Sequence, residues 1–506
     1  MMRALLILIA SCCLALTAQA HLGSPDVFYD GMAGPYPVRV TIRMPSVVPG
    51  RAEISARVQA AGPVEVSFLP VYSWTPVTNA PPADPGRLIL GETNLYAGDL
   101  WLMSFGAYSV EVQVKGPQGD GTVEIPVTSV AIRQLPLPSA LGKILLIMCV
   151  ILVAGGIGIA AAAGREAVLP PGATAGRPER WKGFFAAATA TIIFTLALVG
   201  GKHWWTAEEN VFRRHLHEGA WPDLTPEIRT VGNQRILRLE VGKNFFGQNE
   251  KVSLIPDHGK LMHLFLVREG SRDAFAHIHP IRKEDYNFEV ALPPLPEGRY
   301  DIFCDLTFEG GVSSTATNSI ELPAMPAGKD SAAPVLERDP DDSWANALSA
   351  AKPAADNDAL TYRLPDGTQV IWQSHAPLRV NQDAHLRFSV VDANGAPLAL
   401  EPYMGMLCHA AVLRSDGAVF AHLHPAGNFS MAAQMFFTDK LAPKTDGDMG
   451  AMPGMDHSMH SMQPASTDST VYLPYEFPAA GNYRIWVQFK NGGRVLTAVF
   501  DAQVES

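Results

Sequence analysis

Two stretches without a charged residue, Ile144 to Ala163 and Gly183 to Gly201, constrain this chain more than anything else in it. Each is close to the roughly 20 apolar residues a helix needs to cross hydrocarbon. Lys143 and Lys202 stand at their outer ends, and Trp181, Trp204 and Trp205 suit the interfacial belts. Ala154, Gly158, Ala186 and Ala190 offer small faces through which two such helices can pack. The stretch between them, 164–182, carries Arg165, Arg177, Arg180 and Lys182 against Glu166 and Glu179. The positive-inside rule places that loop in the cytoplasm. Two crossings then leave everything before the first and after the second on the opposite side.

Residues 1–20 agree with that topology. Arg3, an apolar run from Ala4 to Leu16 and the sequence Ala18-Gln19-Ala20 read as a secretory signal, whose cleavage leaves His21 first. Ile9-Ala10-Ser11-Cys12 is a competing lipobox that would attach lipid at Cys12. Either processing exports the N-terminal domain. The expected location is a bacterial inner membrane, with the N- and C-terminal domains on the periplasmic side.

The exported parts read as strands. Residues 21–137 alternate polar and apolar, as in Val38-Arg39-Val40-Thr41-Ile42 and Tyr108-Ser109-Val110-Glu111-Val112, which predicts an antiparallel β-sandwich. A juxtamembrane amphipathic helix is expected over 206–219, where Thr206 and Glu209 make a capping box and Glu209 and Arg213 an i,i+4 pair. Beyond it the chain repeats itself. His263-Leu-Phe-Leu-Val-Arg-Glu-Gly followed by Phe275-Ala276-His277-Ile278-His279-Pro280 matches His409-Ala-Ala-Val-Leu-Arg-Ser-Asp-Gly followed by Phe420-Ala421-His422-Leu423-His424-Pro425. Gly298 to Phe303 matches Gly481 to Trp486. These are tandem domains at 225–325 and 359–506. An Ala/Pro/Asp-rich stretch, 326–358, has the composition of a mobile linker, and the second copy alone carries an insertion at 438–467. The fold class is mainly β: three exported sandwiches and a transmembrane hairpin.

Strand residues two apart share a face, so His277 projects with His279 and His422 with His424. Hairpin pairing brings His263 to the first pair and His409 to the second. Three converging imidazoles suit Cu(II) or Zn(II). The competing reading is structural: imidazoles bonding strand-end carbonyls, with Pro ending the ladder. If Tyr403 to His409 is a strand, Met404, Met406 and Cys408 share one face and His409 takes the other. The first copy has Gly259-Lys260-Leu261-Met262 there, so a thioether role belongs to the second copy alone. His258 has no partner pattern and reads as surface or structural.

The insertion is the strongest local signal. Met449, Met452, Met455, Met459 and Met462, with His457 and His460, fall together without an apolar period. Thioethers favour Cu(I), while imidazole also accepts Cu(II). A mature His21 could chelate copper through its amino group and ring, a histidine brace. No phosphate loop, nucleophile elbow or H-E-x-x-H motif is present, so enzymatic activity is not expected, a histidine-brace copper oxygenase at His21 being the exception. The balance of 39 Lys and Arg against 50 Asp and Glu, net −11, excludes a nucleic-acid binder.

On the residues His263 to Pro280 with Gly298 to Phe303, and Tyr403 to Met431 with Gly481 to Trp486, the two copies resemble YtkA-like domains, small exported immunoglobulin-like sandwiches. That resemblance implies metal handling in a bacterial envelope. The Met/His insertion is similar to the copper-binding tracts of periplasmic copper-resistance proteins. The expectation is a membrane-anchored copper-binding protein for tolerance or delivery, with another envelope copper protein as partner. A non-metal interaction or assembly module, gripping another envelope protein through a sheet edge, is the alternative.

Overall fold

The computed structural model describes residues 26–170, 172–215, 222–232, 234–242, 252–325, 336–353, 359–373, 377–442 and 469–506. The expected signal segment lies outside them. The chain forms two units, one of residues up to 132 together with those from 218 onward, the other of residues 133–217.

The larger unit is mainly β, and among its described residues six sheets form, whose strands pair antiparallel except for Leu378–Arg379 beside Arg494–Glu505. In residues 26–132 a five-stranded and a four-stranded sheet contribute to one buried cluster. Alternation explains how. Along Gly50–Val58, Ala52, Ile54, Ala56 and Val58 are buried while Arg51, Glu53 and Arg57 face out.

Each repeat follows the same plan. In the first, Leu224–Val231, Gln234–Val241, Asn287–Ala291 and Ile281–Glu284 form one sheet. Ser313–Leu322, Gly298–Thr307, His263–Arg268, Phe275–Ile278 and Ser343–Ala345 form the other. In the second repeat the corresponding sheet has Arg494–Glu505, Gly481–Asn491, His409–Arg414 and Phe420–Leu423 in the same order. The stretch expected as a mobile linker departs from that reading where it is described. Ser343–Ala345 pairs with Phe275–Ile278, and Ala351 donates its N–H to the Val499 carbonyl.

The central strands are buried on both faces, which explains why His263–Arg268 and His409–Arg414 carry apolar residues without alternation. Leu264 and Leu266 enter the first repeat's own core, with Ala276, Ile302 and Cys304. Phe265, Val267, Phe275 and Phe303 point the other way, onto Ala411, Leu413, Phe420, Trp486 and Val499 of the second repeat. The two repeats therefore meet through equivalent sheet faces. Phe275 stacks on Trp486 (centroids 4.9 Å apart, planes 10° apart), and its counterpart Phe420 stacks on Phe303 (4.2 Å, 3°). Since Phe303 and Trp486 are also counterparts, the contact has approximate twofold symmetry. The residues 26–132 dock beside it. Asp30 N–H donates to the Ala426 carbonyl, Phe28 N–H to Asn428 Oδ1, and Phe429 packs into their core.

The smaller unit is a helical hairpin, Ser139–Glu166 and Arg177–His215, long and apolar enough to cross a membrane. No side chain of the first helix is buried, and Leu145, Ile151, Leu152 and Ile159 are exposed along it. The helices approach through Gly156, Gly164, Gly183 and Ala186. A Cβ on Gly164 would lie 2.7 Å from the Ala186 methyl, and one on Gly156 would lie 2.5 Å from the Phe194 ring. Ala154 and Gly158 are exposed, so the expected small face is replaced by one turned toward Gly156 and Gly164. The second helix also runs without a break through 202–206 to His215. The Thr206 hydroxyl, expected as a cap, donates instead to the Lys202 carbonyl one turn back inside the helix.

Trp486 is fully buried where the repeats meet. Trp486→Ala removes a stacked ring from a close-packed contact and is expected to destabilise the larger unit by about 3–5 kcal/mol, read as a lowered thermal midpoint. An unchanged midpoint would mean that the repeats do not rely on this contact.

Candidate metal centre

The strand register builds the site. In the first repeat Phe265 pairs with His277 and Leu264 with Ile278, which sets His263 across from His279. In the second, Ala411 pairs with His422 and Ala410 with Leu423, setting His409 across from His424. All six imidazoles lie on the faces through which the repeats meet, so the two sets merge into one cluster. His263 and His422 have ring centroids 5.4 Å apart, His277 and His422 5.4 Å, and His409 and His422 5.6 Å.

A seventh ring joins them. His258 sits in a tight turn with φ of 50°, followed by Gly259 at 78°. It lies 4.9 Å from His424 and 5.5 Å from His409, both in the other repeat. His258 is therefore not on the surface: its side chain is buried, and it belongs to a group that could hold a metal. Ligand atoms of His263, His277 and His279 all fall within 4.8 Å of one another, and so do those of His258, His409 and His424. The first set is the expected one. In the second, His258 takes the place expected of His422, which lies between the sets.

Tyr403 to His409 is not a strand. Tyr403 and Met406 close a turn, Met404 at φ 49° and Gly405 at 81°, the same conformation as His258-Gly259. This breaks the expected shared face of Met404, Met406 and Cys408. Cys408 enters the second repeat's core, where burial raises its thiol pKa. Aligning the turns puts Met404 where the first repeat has His258, five residues before the strand's first His in each copy. That alignment was the available signal for His258.

Oxygen acceptors orient the rings from behind. His422 Nδ1 donates to Asp305 Oδ2 (3.1 Å), itself held by the Thr315 hydroxyl (2.6 Å). His277 Nδ1 donates to Gln488 Oε1 (2.9 Å) and His279 Nδ1 to Asp342 Oδ1 (3.1 Å). Asp305 and Gln488 are counterparts, opposite Thr315 and Thr497 in their own repeats, so each repeat orients the other's central His. Fixing Nδ1–H this way leaves the Nε2 lone pair free, the arrangement found behind metal-bound histidines. Asp305, Asp342 and Gln488 carry no motif and escape sequence reading.

The Nε2 atoms of His258, His279, His409, His422 and His424 are buried without a hydrogen-bond partner. His263 and His277 show the same deficit in another form. The Asp257 carbonyl accepts from His263 Nε2 (3.1 Å), so Nδ1 is bare where it meets His277 Nε2 at 3.2 Å. His277 carries its own proton on Nδ1, toward Gln488. With this pair of tautomers two lone pairs face each other, and a cation between them would accept both. Nitrogens 3.2 Å apart fit an ion bound at about 2.0–2.1 Å to each, with an angle of roughly 100°.

Burial pushes the imidazoles of His263, His277, His409 and His424 well below their ordinary pKa, and neighbouring imidazoles act in the same direction. His258 is lowered too, chiefly by burial. These five rings are neutral at neutral pH, the state that ligates a metal. A cleft of about 220 Å³ reaches His263, His422 and His424, bordered by Asp257, Asn428 and Ser430. His21, Met449, Met452, Met455, His457, Met459, His460 and Met462 lie outside the described residues.

Residues 221–322 and 363–506, the two repeats, match the family model of a domain of unknown function (DUF8832). No curated protein matches the chain. Among solved structures it is similar to dimeric latent PorU from Porphyromonas gingivalis, at 7% identity over 91% of this chain and 32% of that one, TM-score 0.15. It is also similar to Salmonella alpha-2-macroglobulin reacted with methylamine, at 10% identity over 96% of this chain and 24% of that one, TM-score 0.18. The chain thus spans about a third or less of either protein. Such low scores carry no argument about fold or function.

The depressed imidazole pKa values set a direction for stability. Unfolded, the five rings take up protons near pH 6.5; folded, His263, His277, His409 and His424 do so only well below it, and His258 below it. Their neutral-state stability is complete above about pH 6.5 and is lost on acidification, at up to about 1.4 kcal/mol per pH unit for each ring. Metal-stripped protein should show a thermal midpoint that falls steeply between about pH 6.5 and 5. A flat midpoint there would contradict burial of the cluster.

Proposed function

We propose that this is a membrane-anchored copper-binding protein that holds its ion among the imidazoles where its two repeats meet. The carrying observation is the set of five buried, unpartnered Nε2 atoms, with Nδ1 of His279 and His422 anchored to carboxylates. A buried polar atom left without a partner costs about 1–3 kcal/mol, and an ion that accepts several lone pairs removes that cost. Converging neutral imidazoles suit Cu(II) and also Zn(II). The sequence adds a reason to prefer copper: the thioethers from Met449 to Met462 are soft donors for Cu(I).

In this reading the repeats are immunoglobulin-like β-sandwiches of the YtkA-like kind, and residues 21–137 form a further immunoglobulin-like β-sandwich. The paired sheets sharing one core in each support it. The hairpin anchors all three on the periplasmic face of a bacterial inner membrane, with the basic residues between its helices in the cytoplasm. The Met/His tract captures Cu(I), and the cluster retains Cu(II) for tolerance or for transfer to another envelope protein. The Met431–Leu441 helix supports that division of labour, because it starts at Ser430 on the rim of the cleft and leads along the chain to the tract.

Full-length protein in detergent, titrated with Cu(II) against a competing chelator, is expected to bind tighter than micromolar. Binding no tighter than that would overturn the proposal. Asp305→Asn leaves the His422 ring in place but removes its carboxylate anchor, and is expected to weaken Cu(II) binding about 10–100-fold. An unchanged affinity would show that His422 does not act as a ligand.

A further inference from the structure

The cluster has more imidazoles than one ion can use, and they are not arranged around one point. A copper or zinc ion takes about four ligands. Here seven rings divide into His263, His277 and His279 on one side and His258, His409 and His424 on the other, each set compact within 4.8 Å. Across the divide the rings are farther apart: 6.4 Å for His277 and His409, 6.2 Å for His258 and His263. His422 stands at the divide, 4.4 Å from His424 and 5.4 Å from both His263 and His277.

Resting on the copper reading above, we propose that the cluster is a two-ion centre, one ion in each set of three, with His422 between them. The first ion lies among His263, His277 and His279, where the bare nitrogens of His263 and His277 already stand 3.2 Å apart. The second lies among His409 and His424 of one repeat and His258 of the other, so it ties the repeats together directly. The His422 Nε2 lone pair is buried and unpartnered, and Asp305 fixes the ring from behind. It completes one of the two ligand sets. The centres are unequal, because the counterpart of His258 under the approximate twofold is Met404. The second set is all nitrogen, and the equivalent turn of the second repeat carries a thioether in place of an imidazole.

Two ions this close are magnetically coupled when both are Cu(II). The test uses the full chain in detergent with His457→Ala and His460→Ala, which removes the imidazoles of the tract. At Cu(II) saturation the expected result is a dipolar-broadened electron paramagnetic resonance spectrum with a half-field transition. This measurement needs no change in the cluster. A saturated, uncoupled spectrum would overturn the two-ion centre.

Counting ions supplies the second arm. Replacing His258, His409 and His424 by Ala is expected to remove one equivalent and the half-field signal, leaving a mononuclear spectrum. Replacing all seven rings should remove two equivalents. A loss of only one equivalent in the seven-fold variant would mean a single-ion site, refuting this inference while sparing copper binding. A loss of none would refute the copper reading itself.

Discussion

The rest of the structure depends on the burial of two equivalent sheet faces against each other. A strand in such a position has no solvent side, so every residue on its outer face must be accommodated by the partner sheet. Phe265, Val267, Phe275 and Phe303 meet that condition by hydrophobic packing, against Ala411, Leu413, Phe420, Trp486 and Val499. The histidines occupy the same faces toward the strand ends. Their burial follows from the aromatic contact, and the low pKa values of His263, His277, His409 and His424 follow from that burial. Remove the contact between sheets and each His-x-His pair becomes an ordinary exposed strand end.

The approximate twofold also explains the support behind the rings. A single repeat supplies a His on the Phe-Ala-His strand but no acceptor for its Nδ1. The acceptor comes from the neighbouring repeat, Gln488 for His277 and Asp305 for His422. Duplication thus did more than double a motif, because each copy finishes the other's site. The two acceptors differ in charge, and the turn residues His258 and Met404 differ in donor type. The symmetry of the backbone is kept while the chemistry of the halves has separated.

Much of this was legible in the sequence, and the limits have physical causes. The alternation in residues 21–137, the repeat and the paired projection of His-x-His all follow from the two-residue period of a strand, which sequence displays directly. The apolar spans were equally plain. Three features were not. The merging of two triads depends on which face of each sheet is covered, and His263–Arg268 is apolar on both. His258 lies in a turn whose positive φ no periodicity reports, and only alignment with Met404-Gly405 reveals it. Asp339, Asp342 and Ser343 sit in a stretch with the composition of a linker, yet Lys260 bonds Asp339 (2.6 Å), Asp342 orients His279 and Ser343 begins a paired strand. Composition cannot register contacts made across 60 or more residues of chain.

An alternative account makes the histidines purely structural, a polar filling for a gap between sheets. The details oppose it. A structural imidazole uses both nitrogens, one donating and one accepting, because each buried group left unpaired opposes folding. Here Asp305 and Asp342 satisfy one nitrogen of His422 and His279 and leave the other bare, and His409 and His424 have neither nitrogen satisfied. Apolar residues of similar volume would fill the gap at lower cost, as Phe265 does beside His277. Seven rings with their lone pairs turned inward make sense where something electron-poor enters. Since those rings come from both repeats, whatever enters also strengthens the contact that buries it.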